Sequence, residues 1–364
     1  MTTHNAENER IKRAYFAFLK EAKGLSEPSI DAAAKALARF EAYTRWKSFK
    51  AFHFEQAAGF KRYLAAQVGQ RSGEPLSKAT LRQTLAALKA FFEWLAHEPG
   101  YRSRISYSDA AYFGLSLKNT AVAKAVGEER VPTLEQIHHV IADMQHGTDI
   151  GRRNRALISF TILTGARDNA IASIRLKHVD LESGLIFQDA RHVRTKFSKS
   201  FTTFFFPVDG QALDIVTDWV DFLRSDRLWG LDDPLFPATR IAFGPDRQFE
   251  AVGLDRKGWS NATPIRLIFR DAFTAAGLPY FNPHSFRKTL VALGERMCQT
   301  PEEFKAWSQN LGHEDVLTTF SSYGAVATRR QGELIRNAGL RTGNGTDLQA
   351  LFAAVDRLKQ KAPV

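Results

Sequence analysis

The chain has 364 residues, 44% of them apolar and 24% charged. That is enough to bury cores in about two domains, and too apolar for a disordered polyelectrolyte. A single cysteine, Cys298, excludes an intramolecular disulfide framework and any multi-cysteine zinc site. No apolar run approaches the roughly 20 residues of a membrane-spanning helix. The polar stretch from Met1 to Arg10 has no signal-peptide character, so a cytoplasmic location and no membrane partner are expected.

Fifty Lys and Arg against 39 Asp and Glu leave a net charge of +11. The excess is uneven: residues 1–118 hold 19 basic and 11 acidic side chains. A compact basic unit suggests a polyanion partner, although a basic surface also serves plain solubility.

Residues 7–97 predict a series of helices. Ile11, Tyr15, Phe18 and Leu19 recur at helical spacing, as do Leu37, Phe40 and Tyr43, and then Leu81, Leu85, Leu88, Phe92 and Leu95. Gly24 to Pro28 and Gly69 to Pro75 punctuate the series, and Ser77 or Thr80 caps its last member. Residues 1–115 are thus expected to form an all-helical unit, and residues 116–131, poor in large aromatics and followed by Pro132, a linker. Residues 132–340 are expected to form a second unit, mainly helical with a small β-sheet. Thr133 to Gln136 reads as a capping box. Helices are expected over residues 152–163, 211–224 and 263–276, the last with Thr263 as cap and Pro264 at its first position. Strands are expected over residues 185–187 and 201–208, flanking a basic turn. The stretch 231–261 reads as a long loop with Arg240, Arg247, Arg256 and Lys257, either a surface insertion, which costs little, or an extra anion contact. Residues 341–364 hold an amphipathic helix with Leu348, Leu351, Phe352, Val355 and Leu358 on its apolar stripe. It packs on its own domain or on a neighbouring protomer.

Five patches of the second unit carry residue types suited to a phosphodiester. They are Thr164-Gly165-Ala166-Arg167 at the end of an apolar helix; the turn from Arg194 to Lys199; Pro283-His284-Ser285-Phe286-Arg287, where His284 and Arg287 share a helical face; Leu311-Gly312-His313; and Tyr323 ten residues later. His138 and His139 are adjacent and cannot share a helical face, and Cys298 reads as a small buried filler.

This ordered set resembles the tyrosine recombinase (phage integrase) family over roughly residues 7–340. The resemblance implies a SAM-like, core-binding helical N-terminal domain and a mixed α/β catalytic domain. It implies a site-specific DNA recombinase that cuts and rejoins duplex DNA through a 3′-phosphotyrosine and a Holliday junction. The expected assembly is a homotetramer on two sites, with neither metal nor nucleotide cofactor. Arg167 and Arg287 then clamp the nonbridging oxygens, with His313 adding a hydrogen bond. Lys196, or Lys199 in its place, protonates the leaving 5′ oxygen, His284 acts as acid/base or positions a group, and Tyr323 is the nucleophile. One departure is Ala170, where many members of the family carry an acidic buttress for the arginine; Asp168 is the expected substitute. Two rivals share parts of this pattern. A type IB topoisomerase has the same chemistry without pairing sites, and a silent DNA-binding regulator has no use for the nucleophile.

Overall fold

A computed structural model describes residues 4–69, 73–115, 130–244 and 247–313. Tyr323 and the expected C-terminal helix lie outside these residues, as does most of the expected linker. The chain divides into two compact units, Met1–Val126 and Gly127–Val364. Both are mainly helical, and the second holds the small sheets.

In the first unit the helices are α1 (Ala6–Ala17), α2 (Glu27–Thr44), α3 (Phe54–Ala65) and α4 (Lys78–Leu95). Ser77 is the cap of α4: its Oγ accepts the Thr80 N–H at 3.1 Å. The α4 positions at helical spacing, Leu81, Leu85, Leu88, Phe92 and Leu95, are all buried. They meet an aromatic core in which Phe40 lies edge-on to Phe60, Phe92 and Phe113 at 5.2–5.7 Å. Ring edges against ring faces satisfy the quadrupoles while removing a large apolar area from water.

The second unit is built on α6 (Asp149–Thr164), in which every residue from Ala156 to Thr164 is buried. A helix apolar on all sides must be covered on all sides. Its covers include α5 (Leu134–Asp143), α8 (Gly210–Asp221) and α10 (Pro283–Met297). The capping box opening α5 is formed, with Thr133 and Gln136 serving each other's backbone N–H. The remaining helices are the single turn α7 (Asp168–Ile171), α9 (Thr263–Ala275) and α11 (Pro301–Asn310). Strands β1 (Val179–Asp180), β2 (Leu185–Gln188) and β3 (Phe201–Phe204) form an antiparallel sheet in that order, so β3 is an edge. Ile186 pairs with Thr203 and Gln188 with Phe201.

Four expectations are corrected. The strand expected to reach Val208 ends at Phe204, because the Phe206 N–H turns to the Leu163 carbonyl at 2.7 Å and Pro207 has no N–H to offer. Thr263 is the first residue of α9 rather than its cap; Asn261 Oδ1 accepts the Thr263 N–H at 2.9 Å. The long loop contains an antiparallel hairpin, β4 (Thr239–Phe243) and β5 (Phe249–Leu254), bulged at Arg240/Ile241. Cys298 is half-buried at the end of α10 and lines an apolar groove of about 760 Å³ with Phe204, Met297 and Trp307.

Candidate active site

Gly165 ends α6 in the left-handed conformation (φ 59°), and a Cβ there would come within 2.9 Å of both Leu290 and Leu311. The glycine therefore allows the helix to stop where α10 and the segment after α11 close on it. Arg167 follows two residues on as the residue preceding α7, half-buried, with its pKa lowered by that burial. On α10, Asn282 is the cap, accepting the Ser285 N–H at 3.1 Å, and Pro283 opens the helix. His284 and Arg287 follow, three positions apart on one face.

Arg287 is the hub. It is 4% exposed. One terminal nitrogen donates to the Gly165 carbonyl; the other donates to the Leu311 carbonyl and lies 3.0 Å from His313 Nε2. A guanidinium only donates, so His313 Nε2 is the acceptor and Nδ1 carries the ring proton. Arg287 Nε is buried with no acceptor among the described residues. Desolvation, and then the charge of Arg167, press the guanidinium down to about 9, so it stays charged at neutral pH.

Burial is the main cause that presses His313 down to about 4, with Arg287, Arg167, His284 and Lys196 contributing in turn. The imidazole of His284, exposed on α10, is lowered by partial desolvation first and then by the charges of Arg287 and Arg167, with a smaller push from Lys196. Both imidazoles are thus neutral near pH 7, one able to accept a proton and one to donate a hydrogen bond. Lys196 is exposed on the β2–β3 turn, its ammonium 4.8 Å from the Phe197 ring. The turn places Phe197 and Ser198 at positive φ (61° and 51°), a conformation that side-chain-bearing residues rarely hold. Lys199 follows on the same turn, also exposed. Arg194 belongs to the scaffold instead: it donates to the Trp259 carbonyl at 2.7 Å and to the Ser260 carbonyl.

Beside these residues lies a cavity of about 470 Å³ lined by Arg167, Asp168, Arg266, Tyr280, Asn282, Pro283 and His284. Asp168 does not buttress Arg167; its Oδ2 takes Arg266 Nε at 2.8 Å and Nη2 at 2.7 Å. Ala170 is 1% exposed in the core, where a carboxylate would need a buried partner. Sequence reasoning missed Arg266 and Tyr280, since neither belongs to a spaced motif. Among the described residues no group of three or more His, Cys, Asp and Glu could hold a metal, and no helix is long and apolar enough to cross a membrane.

The second unit of this mainly helical, two-unit chain carries two guanidiniums, two neutral imidazoles and a turn lysine, groups of a kind that suits a phosphoryl group. Comparison makes that specific. The phage integrase family matches residues 131–330, and the phage integrase N-terminal SAM-like domain matches residues 13–99. The chain belongs to the phage integrase family, the tyrosine recombinases, and is an enzyme that cuts and rejoins DNA. Tyrosine recombinase XerC of Lactobacillus delbrueckii subsp. bulgaricus is 23% identical over 317 residues, covering 85% of this chain and 92% of that protein. The fold is shared with a lambda integrase dimer bound to a COC′ core site, at TM-score 0.57 and 14% identity, covering 88% of this chain and 96% of the other. It is also shared with a lambda integrase tetramer bound to a Holliday junction, at TM-score 0.53 and 13% identity, covering 84% and 77%.

Proposed function

We propose that Arg167, Lys196, His284, Arg287, His313 and Tyr323 carry out the strand transfer of this recombinase on duplex DNA. Residues 1–115 act as the core-binding domain, 132–340 as the catalytic domain, with 116–131 the linker and 341–364 the tail. The observation that carries the reading is the position of Arg287. Its one guanidinium holds the Gly165 carbonyl, the Leu311 carbonyl and His313, and so ties three of the spaced motifs to a single point. Among the described residues no carboxylate pairs with this buried cation, as befits a site whose anion arrives with the substrate.

In the reaction the Tyr323 hydroxyl oxygen attacks the scissile phosphorus, and its proton passes to neutral His284. The bond from phosphorus to the 5′ oxygen breaks as Lys196 protonates that oxygen, leaving a 3′-phosphotyrosine. Charge gathering on the nonbridging oxygens meets Arg167, the remaining N–H groups of Arg287, and His313. Attack by a 5′-hydroxyl of the partner strand reverses the step, so the ester energy is conserved and neither metal nor nucleotide is needed. Lys196 is preferred over Lys199 because its charge is felt at both imidazoles. A homotetramer on two sites, passing through a Holliday junction, fits the similar integrase solved in that state. Such an enzyme works in the cytoplasm, where its DNA is.

The decisive experiment is capture of the covalent adduct on a nicked duplex. Its inverted repeats are first selected from a random pool by trapping with the unaltered protein. Tyr323→Phe is expected to bind this DNA and form no adduct. Tyr280→Phe, the phenol that lines the cavity, is expected to form it normally. An adduct with Tyr323→Phe and none with Tyr280→Phe would reassign the nucleophile.

A further inference from the structure

Strand β3 is the edge of its sheet, and an edge strand presents unpaired backbone groups. At Phe204 they are not unpaired. The Phe204 N–H donates to Asn310 Oδ1 at 2.7 Å, and Asn310 Nδ2 donates back to the Phe204 carbonyl at 2.9 Å. The side-chain amide thus makes both bonds that a neighbouring strand would make. Two further contacts join the same pair of segments. Thr203 Oγ1 donates to the Asn310 carbonyl at 3.0 Å, itself receiving Gln188 Nε2 at 3.2 Å. Gly312 sits so close to the Phe201 ring that a Cβ would lie 2.7 Å from it.

What these segments carry gives the contact its meaning. The β2–β3 turn bears Lys196, five residues before Phe201. The residue after Asn310 is Leu311, whose carbonyl holds Arg287, and two further on is His313. A continuous path therefore runs from the lysine turn through β3 and Asn310 to the guanidinium. One base of the turn is held by Arg194 on the Trp259 and Ser260 carbonyls; β3 and Asn310 hold the other, and Lys196 to Lys199 are exposed between them.

We propose that Asn310 is a positioning residue for the cleavage step. By pairing with the Phe204 backbone it fixes the lysine-bearing hairpin relative to Arg287 and His313, so that a proton donor and the phosphate clamp reach opposite sides of one scissile phosphate. This rests on the roles proposed above for Lys196 and Arg287. Reacting groups on separate segments must be held to within a fraction of an ångström, and a bidentate amide resists both sliding and rotation of the strand.

The test uses the full chain, the selected nicked duplex, and the same duplex with a sulfur at the 5′-bridging position, where a thiolate leaves without protonation. Asn310→Ala is expected to slow single-turnover cleavage of the ordinary ester roughly ten- to a hundredfold, the cost of about an ångström of misplacement. Its loss on the sulfur ester should be at least about fivefold smaller, because the lysine's proton is no longer needed. Equal losses on both esters, or no loss, would overturn the proposal; a purely structural defect gives the first result. Should Asn310→Ala fail to fold, Asn310→Asp is read by the same criteria. It is isosteric and keeps the acceptor for the Phe204 N–H but turns the donor into an oxygen. Lys196→Ala is run beside them. If the sulfur ester does not rescue Lys196→Ala, the lysine assignment fails and takes this inference with it. If Lys196→Ala is rescued and Asn310→Ala is not, only the role of Asn310 falls.

Discussion

Each unit buries a charged side chain, and the two are settled in opposite ways. In the N-terminal unit, Glu41 is 2% exposed on α2. Its two oxygens receive Asn8 Nδ2 at 3.2 Å and Lys12 Nζ at 2.6 Å, and Lys12 is shared with Glu9 at 2.7 Å. Asn8 completes the network by donating to the Lys47 carbonyl and accepting the Phe49 N–H, each at 3.0 Å. The buried carboxylate has its cation, and both of its oxygens accept a hydrogen bond. In the second unit, Arg287 is as deeply buried, yet no carboxylate pairs with it among the described residues. Its neighbours are two carbonyls, a neutral imidazole and a second cation, and its Nε likewise has no acceptor among the described residues. A closed network serves the fold alone. An open, uncompensated one costs stability, and in the role proposed for Arg287 it keeps attraction for an anion that arrives later.

Variants sharpen this contrast, and the largest effect belongs on the open side. Lys196→Ala should slow cleavage of the ordinary ester roughly a hundred to ten thousand times, the span of a lost general acid, with melting temperature unchanged because the side chain is exposed. Near-normal cleavage by Lys196→Ala together with a large defect in Lys199→Ala would move the acid three residues along the turn.

Next comes the closed side. Glu41→Ala strands Lys12 and Asn8 and should destabilise the N-terminal unit by about 3–5 kcal/mol, as breaking a buried ion pair does. Hydrogen exchange read on the full chain should rise across residues 27–44 and stay unchanged across 283–297. Exchange rising equally in both segments would mean that the two networks are not independent.

Arg287→Lys tests the hub with a smaller change. One ammonium cannot serve two carbonyls and His313, so about 1–3 kcal/mol of stability is expected to go with each unserved group. Single-turnover cleavage should fall by roughly a hundredfold. DNA affinity should change little, since many other basic residues contribute to it. Cleavage near the unaltered rate would place Arg287 outside the chemistry.

The smallest effect is on acid stability. His178 is 4% exposed, accepts the Arg175 N–H on Nδ1 at 2.9 Å, and is pressed to about 4, chiefly by burial. A histidine held neutral in the fold takes up its proton more readily when unfolded. Its contribution is therefore full above the ordinary value near 6.5 and lost as pH falls from there toward about 4. The second unit should lose about 1–3 kcal/mol over that window from His178, and His178→Gln should flatten the loss. An unchanged slope of melting temperature against pH would show that His178 is not the group responsible.

The sequence by itself determined what depends on neighbours along the chain. Helical spacing placed α4 and its buried face, Thr133 and Gln136 announced the capping box, and the glycine before Ala166 marked the end of α6. The order of Thr-Gly-x-Arg, turn lysine, His-x-x-Arg and Leu-Gly-His named the chemistry before any contact was seen. These signals are legible because helix periodicity and capping act over three or four residues. Tertiary structure decided what depends on residues far apart. Gly165 and Arg287 are separated by 122 positions, Asp168 and Arg266 by 98, and Phe204 and Asn310 by 106. No spacing rule connects such pairs. Asp168 reads as a buttress for the arginine beside it, and only the packing of α9 against that corner hands it to Arg266 instead. The β4–β5 hairpin was missed for a related reason: its strands carry exposed Ile241, Phe243 and Phe249 and are defined by each other's backbone rather than by a buried face. Asn310 is the plainest case. A polar residue at the end of a helix reads as ordinary surface, and it becomes a fastening only because the last turn of α11 ends beside the edge of β3 that no strand among the described residues covers.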